Sequence, residues 1–493
     1  MALYFYFLLT LLAIASAFST KPNFVFVLVD DWGYADVSFR NPAIHSPNFE
    51  KLAKEGLILD RHYVFKYCSP SRASFLTGRW PHHAHQWNPP EDALVGANLK
   101  MTMIPAKLKL ARYKTHMIGK WHEGLYKEAY LPINRGFDTM SGFLGGGENH
   151  MNQQVGCATD FWKNDGPDSR NGSYDAYTYR DDLTDIITNH NPSDPFFLYL
   201  PLHNVHTPLQ APDEWLNIYP ANSTCQNRRI YQAMVSVADN VTGHLVKLLQ
   251  DNGMWDNTLL VISADNGGAP CGGSNYPLKG SKGTFYEGGV RSLAFVNGGL
   301  LPTNRKGKST QGFIHIADWY TTFCQLAGID HDDSGSGKFP VDGMNVWPII
   351  NGENEKTLHE QIPLGYDFDY GNLRPNQGAL IVGNNKLIVG PQDTKSCDSI
   401  MYSPLDYPCT DGPKGDDCDP YCLYDIVQDP NERHNLAKEQ PDVLKDLLAR
   451  YNKYSEEPRD LQDQGYHSIE ALPTDSDACR YMRENGGYWR PWK

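Results

Sequence analysis

Asn23-Phe24-Val25-Phe26-Val27-Leu28-Val29-Asp30-Asp31 is the stretch that decides the fold. A strand with one wet face alternates apolar and polar residues. Here Phe24 to Val29 is apolar at every position, as expected for a strand covered by helices on both faces of a sheet. Similar short runs recur at Thr115 to Ile118, Phe196 to Pro201, Thr258 to Ser263 and Ser292 to Val296. Amphipathic stretches at Asn48 to Glu55, Ile104 to Ala111 and Ile230 to Leu249 read as helices. From Asn23 to about Pro348 this alternation predicts an α/β domain with a large sheet flanked by helices. The pattern shifts after Gly371. Ala379 to Val389 reads as two short strands around Gly383-Asn384-Asn385, followed by a strand at Leu423 to Ile426 and a helix near Pro441 to Tyr454. We therefore expect a large domain over residues 18–375 and a smaller α+β subdomain with a small antiparallel sheet over 376–493.

The 493 residues suffice for one large core and a smaller one, and 40% hydrophobic with 21% charged residues is ordinary globular composition. A formal charge of -14 excludes a nucleic-acid surface, since no basic excess is present to displace counterions. An acidic chain that takes an anionic ligand must gather its cations in one pocket. Leu8 to Ala17, ending Ala15-Ser16-Ala17, reads as a signal peptide over residues 1–17. No later apolar run is long enough for stable membrane insertion. Three sequons, at Asn171, Asn222 and Asn240, and ten cysteines agree with the secretory pathway and a secreted or lysosomal destination. Cys418 and Cys422 read better as disulfide cysteines than as zinc ligands, and Cys324, in a helix-like segment, as a buried thiol.

Several strands end in polar clusters: Asp30-Asp31, Lys120-Trp121-His122, His203 to His206, and Asp265-Asn266 before Gly267-Gly268. Open α/β sheets bind ligands at the carboxyl ends of their strands, so these segments are expected to share one rim. Either acidic pair alone would read as strand-end turn residues. Together they offer hard oxygen donors for calcium or magnesium.

Cys68-Ser69-Pro70-Ser71-Arg72, followed by Leu76-Thr77-Gly78-Arg79, resembles the signature of the type I sulfatases. Gly119-Lys120-Trp121-His122, Asp265-Asn266-Gly267-Gly268, and Pro277 to Thr284 with Glu287-Gly288-Gly289 are similar to further motifs of that family. So is Val29 to Gly33, where Trp32 stands in place of a commonly smaller apolar residue. Leu131-Pro132, Arg135 to Asp138 and His206 to Gln210 look closest to the arylsulfatase B branch, the N-acetylgalactosamine-4-sulfatases. The resemblance implies an alkaline phosphatase-like fold: a large mixed sheet flanked by helices. It implies a sulfuric ester hydrolase acting on sulfate monoesters, those of sulfated sugars first. Cys68 would be oxidised to formylglycine (3-oxoalanine) by a formylglycine-generating enzyme during maturation. Asp30, Asp31, Asp265 and Asn266 would hold one divalent cation, calcium first, with residue 68 completing the coordination. Arg72 would orient residue 68, Lys120 and Lys282 would bind sulfate oxygens, His122 would bond the hydrate, and His206 would serve the leaving oxygen.

Two rival functions fit the same pattern: a phosphatase or phosphonate hydrolase on this scaffold, and a secreted homologue that binds without turnover. The remaining polar groups take plainer readings. His82, His83 and His85 read as a solvated loop, and His203 as a core or supporting histidine. Glu148, Asn149 and His150 follow a run of glycines and are candidates to line the pocket. Lys279 is a weaker candidate than Lys282. Gly307-Lys308-Ser309 is no phosphate loop, because Pro302 occupies the required first glycine position.

Overall fold

Asn23–Val29 forms a central strand in the computed structural model, which describes residues 21–84, 88–170, 172–221, 225–270, 272–336, 339–367, 377–392, 418–456 and 476–493. Phe196–Leu202 and Thr258–Ala264 pair with it in parallel, one on each side. Lys114–Lys120 and then Thr139–Phe143 extend the parallel set. Ala294–Asn297 closes against Thr258–Ala264 antiparallel, so the ten-stranded sheet is mixed.

Side-chain alternation explains why no residue from Phe24 to Val29 is polar. Phe24, Phe26 and Leu28 point into the core on one face, and Val25, Val27 and Val29 into the core on the other. The helices Cys68–Thr77 and Asp318–Ala327 cover the phenylalanine face, where the rings of Phe26 and Phe75 stack with centroids 3.9 Å apart. The long helix Gln226–Asp251 covers the valine face. Close sheet contacts require glycine at two places. A Cβ on Gly119 would fall 2.0 Å from the Pro201 carbonyl oxygen, and one on Gly142 would fall 2.1 Å from that of Gly119.

The smaller sheet is antiparallel, ordered Gln361–Asp367, Gln377–Val382, Asn385–Val389, Tyr421–Asp425, with the helix Pro441–Ser455 packed on it. Its first strand comes from before residue 376. Lys386 joins the two sheets' territories: its buried ammonium lies 2.9 Å from Glu287 and 3.0 Å from Glu432. The terminal helix Asp477–Glu484 returns to the large core, tied by Cys157–Cys479.

Cys418 bonds Cys422, and Cys324 is a buried free thiol, as the sequence led us to expect. No helix among the described residues is long and apolar enough to cross a membrane. Residues 1–17, Asn171, Asn222 and His85 lie outside the described residues. Asn240 sits inside the 26-residue helix, half-buried with Oδ1 enclosed, rather than in the surface loop that suits a glycan. The expectation of a solvated loop at His82 and His83 is corrected. Both are buried in the short helix Pro81–Ala84, with His83 Nδ1 2.8 Å from Asp342 and His82 packed edge-on against Tyr366. The apolar undersides of both rings are used for packing, which a count of polar residues misses.

Cys157–Cys479 closes a sequence separation of 322 residues. Replacing both by Ser should lower stability by about 2–5 kcal/mol, read as an earlier thermal transition without reductant. An unchanged transition would show that the terminal helix docks without the bond.

Candidate active site

The parallel pairing sets the site. Val29 is in register with Leu202 on one side and Ala264 on the other, so Asp30, His203 and Asp265 leave the sheet side by side. Lys120 ends the next strand along. Asp31 and His122, just past their strands, take left-handed backbone with φ of 56° and 59°. Non-glycine residues adopt that conformation at a cost, and it turns both side chains back over the rim.

Cys68 begins the helix Cys68–Thr77, whose ten residues are all buried. Pro70 is tolerated because it falls in the first turn, and Gly78 ends the helix with φ of 69°. The helix N-terminus thus carries the Cys68 thiol to the strand ends. Its Sγ lies 3.4 Å from Asp30 Oδ1 and 3.4 Å from Lys282 Nζ. The Arg72 guanidinium donates to Asp265 Oδ2 at 2.7 and 3.2 Å and to the Lys120 carbonyl at 3.2 Å. Lys120 Nζ is 2.6 Å from Asp30, and Lys282 Nζ is 2.6 Å from Asp31. Asn266 Nδ2 donates to Asp31 at 2.8 Å. His206 Nε2 stands 3.9 Å from Asp31.

Three carboxylates and three cations are therefore enclosed together. Burial pushes the Asp30 carboxyl up, but Lys120, His206, Arg72 and Lys282 override it and hold Asp30 well below the usual range. Asp265 is pushed up to about 6, by burial first and then by Asp30. Burial, with Asp30 beside it, also drives the Cys68 thiol far upward, so the unmodified thiol stays protonated and is a poor nucleophile. Burial and then Lys282 hold His206 well below the ordinary imidazole range.

The donor set suits a hard divalent cation. Asp30, Asp31 and Asp265 supply carboxylate oxygens, and Asn266 Oδ1 is buried without a hydrogen-bond partner. A cation there would also relieve the crowding that raises Asp265. His122 donates from Nε2 to the Pro89 carbonyl at 2.9 Å, which leaves its Nδ1 as a bare, buried acceptor.

The structure thus brings together every site residue expected from the sequence: Asp30, Asp31, Cys68, Arg72, Lys120, His122, His206, Asp265, Asn266 and Lys282. Lys279 is turned away, its Nζ 3.2 Å from the Tyr424 hydroxyl and over the Tyr286 ring. Arg79 binds Asp333 and the Thr77 and Phe339 carbonyls, a bracing role remote from the rim. His203 is buried against Asp175, in keeping with a supporting histidine. Sequence reading missed Glu91 and Asp160. They accept from the backbone of Gly146 and of Leu144 and Gly145, and so shape the glycine run beside His122 and His206. Their partners are backbone amides distant in sequence, and no motif marks them.

The family model described as Sulfatase matches residues 22–329. The chain is 32% identical to arylsulfatase J of Mus musculus over 509 residues, spanning 97% of this chain and 81% of that protein. It is 30% identical to N-acetylgalactosamine-6-sulfatase of Homo sapiens over 366 residues, 68% of this chain and 67% of that one. Among solved structures, Ps i-CgsB in complex with k-i-k-neocarrahexaose is similar at a TM-score of 0.75 and 29% identity, covering 92% of this chain and 96% of that one.

Calcium at one hundred times its dissociation constant should stabilise the protein by about 2.7 kcal/mol, seen as a later thermal transition than in chelator. Asn266→Leu, which removes the orphan oxygen, should lose most of that response. Identical melting of the wild type in calcium and in chelator would refute the cation site.

Proposed function

Since the chain belongs to the sulfatase family, we propose that it hydrolyses sulfate monoesters of sulfated sugars with a formylglycine made from Cys68. The observation that carries this reading is the position of Cys68 Sγ, 3.4 Å from both a carboxylate of the cation site and the Lys282 ammonium. The hydrated aldehyde supplies two hydroxyls on one carbon, one to attack sulfur and one to expel sulfate as the carbonyl re-forms. Asp30, Asp31, Asp265 and Asn266 would hold a divalent cation, which would supply positive charge to the site.

The other roles fall to the chain's own side chains. Arg72 fixes Asp265 and the Lys120 carbonyl and so sets the geometry around residue 68. Lys120 and Lys282 would hold the sulfate oxygens and stabilise charge at the transferring group. His122 Nδ1 accepts from a hydroxyl on residue 68. His206 donates to the Thr207 carbonyl through Nδ1 at 2.6 Å, so its Nε2 is the nitrogen that faces the rim. That nitrogen delivers the proton to the departing oxygen. Burial and then Lys282 hold His206 neutral at rest, with its proton on Nδ1, so Nε2 must take up a proton before it can give one. An arriving sulfate anion favours that uptake by offsetting the lysine charge.

Residues 131–138 and 206–210 support an amino-sugar sulfate of the N-acetylgalactosamine-4-sulfatase kind. The k-i-k-neocarrahexaose held by the similar Ps i-CgsB supports a carbohydrate substrate. We assign residues 1–17 as a signal peptide, the large sheet and its helices from residue 18 to about residue 360 as the catalytic domain, and the antiparallel sheet from Gln361 with the helix Pro441–Ser455 as the C-terminal subdomain. The disulfides support maturation in the secretory pathway.

Mass spectrometry of the peptide containing residue 68 should show sulfur replaced by oxygen with loss of two hydrogens. A peptide carrying only thiol would instead favour a non-catalytic binding protein. Cys68→Ala should abolish turnover with little change in melting. The purified enzyme should prefer para-nitrophenyl sulfate to para-nitrophenyl phosphate, and a large preference for phosphate would overturn the assignment.

A further inference from the structure

Behind His206 lies a fully buried group that the proposed reaction does not use: His150, Asp175 and His203. Asp175 opens the helix Asp175–Asn189, where its Oδ1 accepts from the Ala176 amide at 2.6 Å. Its other oxygen faces two imidazoles, His150 Nδ1 at 2.8 Å and His203 Nδ1 at 2.9 Å. His150 Nε2 in turn faces the His206 backbone carbonyl at 3.1 Å. Both partners of His150, a carboxylate and a carbonyl, only accept. Each of its ring nitrogens must therefore carry a proton, which makes His150 an imidazolium paired with Asp175. His203 has one acceptor partner and a bare, buried Nε2, so it is neutral. Its ring stacks on His150 at 3.9 Å and lies 5.7 Å from that of His206.

The loop that carries His206 is gripped from this group at several points. The His150 amide donates to Gln210 Oε1 at 3.0 Å, the Tyr174 hydroxyl to the Gln210 carbonyl at 2.9 Å, and the His206 amide to the His203 carbonyl at 3.0 Å. Among the described residues, the His206 ring hydrogen-bonds to its own neighbour's carbonyl, because Nδ1 is spent on Thr207. The direction of the ring thus follows from where the backbone at 206 is held. A charge-assisted bond from a buried cation is among the firmest ways to hold a carbonyl.

We propose that His150, anchored on Asp175, is a positioning residue that fixes the aim of His206 at the departing oxygen. This rests on the reading of His206 as the proton donor. Misaiming a proton donor penalises poor leaving groups and spares good ones, because a stable phenolate departs without a proton. A merely structural role would depress both alike.

The test compares phenyl sulfate with para-nitrophenyl sulfate in the mature enzyme. His150→Asn can replace the Nδ1 bond to Asp175 but not the Nε2 bond to the carbonyl, whereas His150→Gln can reach the carbonyl. His150→Asn should lose about tenfold or more in kcat/KM on phenyl sulfate and little on para-nitrophenyl sulfate, while His150→Gln should stay near the wild-type ratio. His150→Phe, which keeps the stacking but neither hydrogen bond, serves if His150→Asn does not fold and should show the same selective loss. Equal losses on both substrates, or none, would overturn the proposal. His206→Asn separates the two readings. If it shows the selective loss and the His150 variants do not, His206 remains the donor and the proposal fails. If it shows no selectivity, the donor assignment fails and takes the proposal with it.

Discussion

Three carboxylates leave adjacent or nearby strand ends and meet in one buried cluster, and the rest of the molecule is arranged around that electrostatic cost. Like charges so close to each other repel strongly once water is excluded. Asp30 and Asp265 answer differently: one is held ionised by its cations, and the other is lifted toward neutrality. Arg72, Lys120 and Lys282 balance the carboxylates in number. Each comes from a different part of the chain, the buried helix, the Lys114–Lys120 strand and the lysine loop. The sheet's parallel register is what brings them within reach. The same crowding suits these carboxylates to a divalent cation, which would replace mutual repulsion by coordination.

Much of this was legible in the chain because the central strands are apolar on both faces and end abruptly in polar residues. Asn23–Val29, Phe196–Leu202 and Thr258–Ala264 fall within a residue of the expected runs. The site residues stood out because carboxylates, lysines and histidines at strand ends have few structural reasons to be there. Other elements were silent. Cys68–Thr77 is Ser-rich and buried all round, so it carries no amphipathic stripe. Thr139–Phe143 has Gly142 and Ser141 where an apolar run would be sought, since the backbone of Gly119 presses against it. Leu57–Leu59 and Lys308–Thr310 are too short to show a period. The buried histidines were hardest, because a polar residue type says nothing about which neighbour will satisfy it. His83 found Asp342, and His150 found Asp175, across 259 and 25 residues of chain.

Support for the reacting groups comes from layers that sequence spacing does not reveal. Glu91 and Asp160 hold the glycine run that lies against His122 and His206, where a Cβ on Gly146 would fall 2.8 Å from the His122 ring and one on Gly147 3.1 Å from the His206 ring. Tyr231 donates to the Asp31 carbonyl and accepts from Gly33, which pins the strained turn after the first strand. These contacts use the backbone as partner, so their geometry depends on fold rather than on motif.

The buried trio of Lys386, Glu287 and Glu432 has a consequence for how such proteins can be taken apart. Glu287 belongs to the segment just after Lys282, whereas Lys386 and Glu432 belong to the smaller sheet and the turn beyond it. Cutting the chain between the lobes would take Glu287 in the larger piece from its lysine, leaving it Arg291 and Tyr63, and would leave Lys386 in the smaller piece with Glu432 alone. The two lobes therefore do not behave as exchangeable modules: a chimera built from two relatives would have to transplant both ends of this ion cluster together.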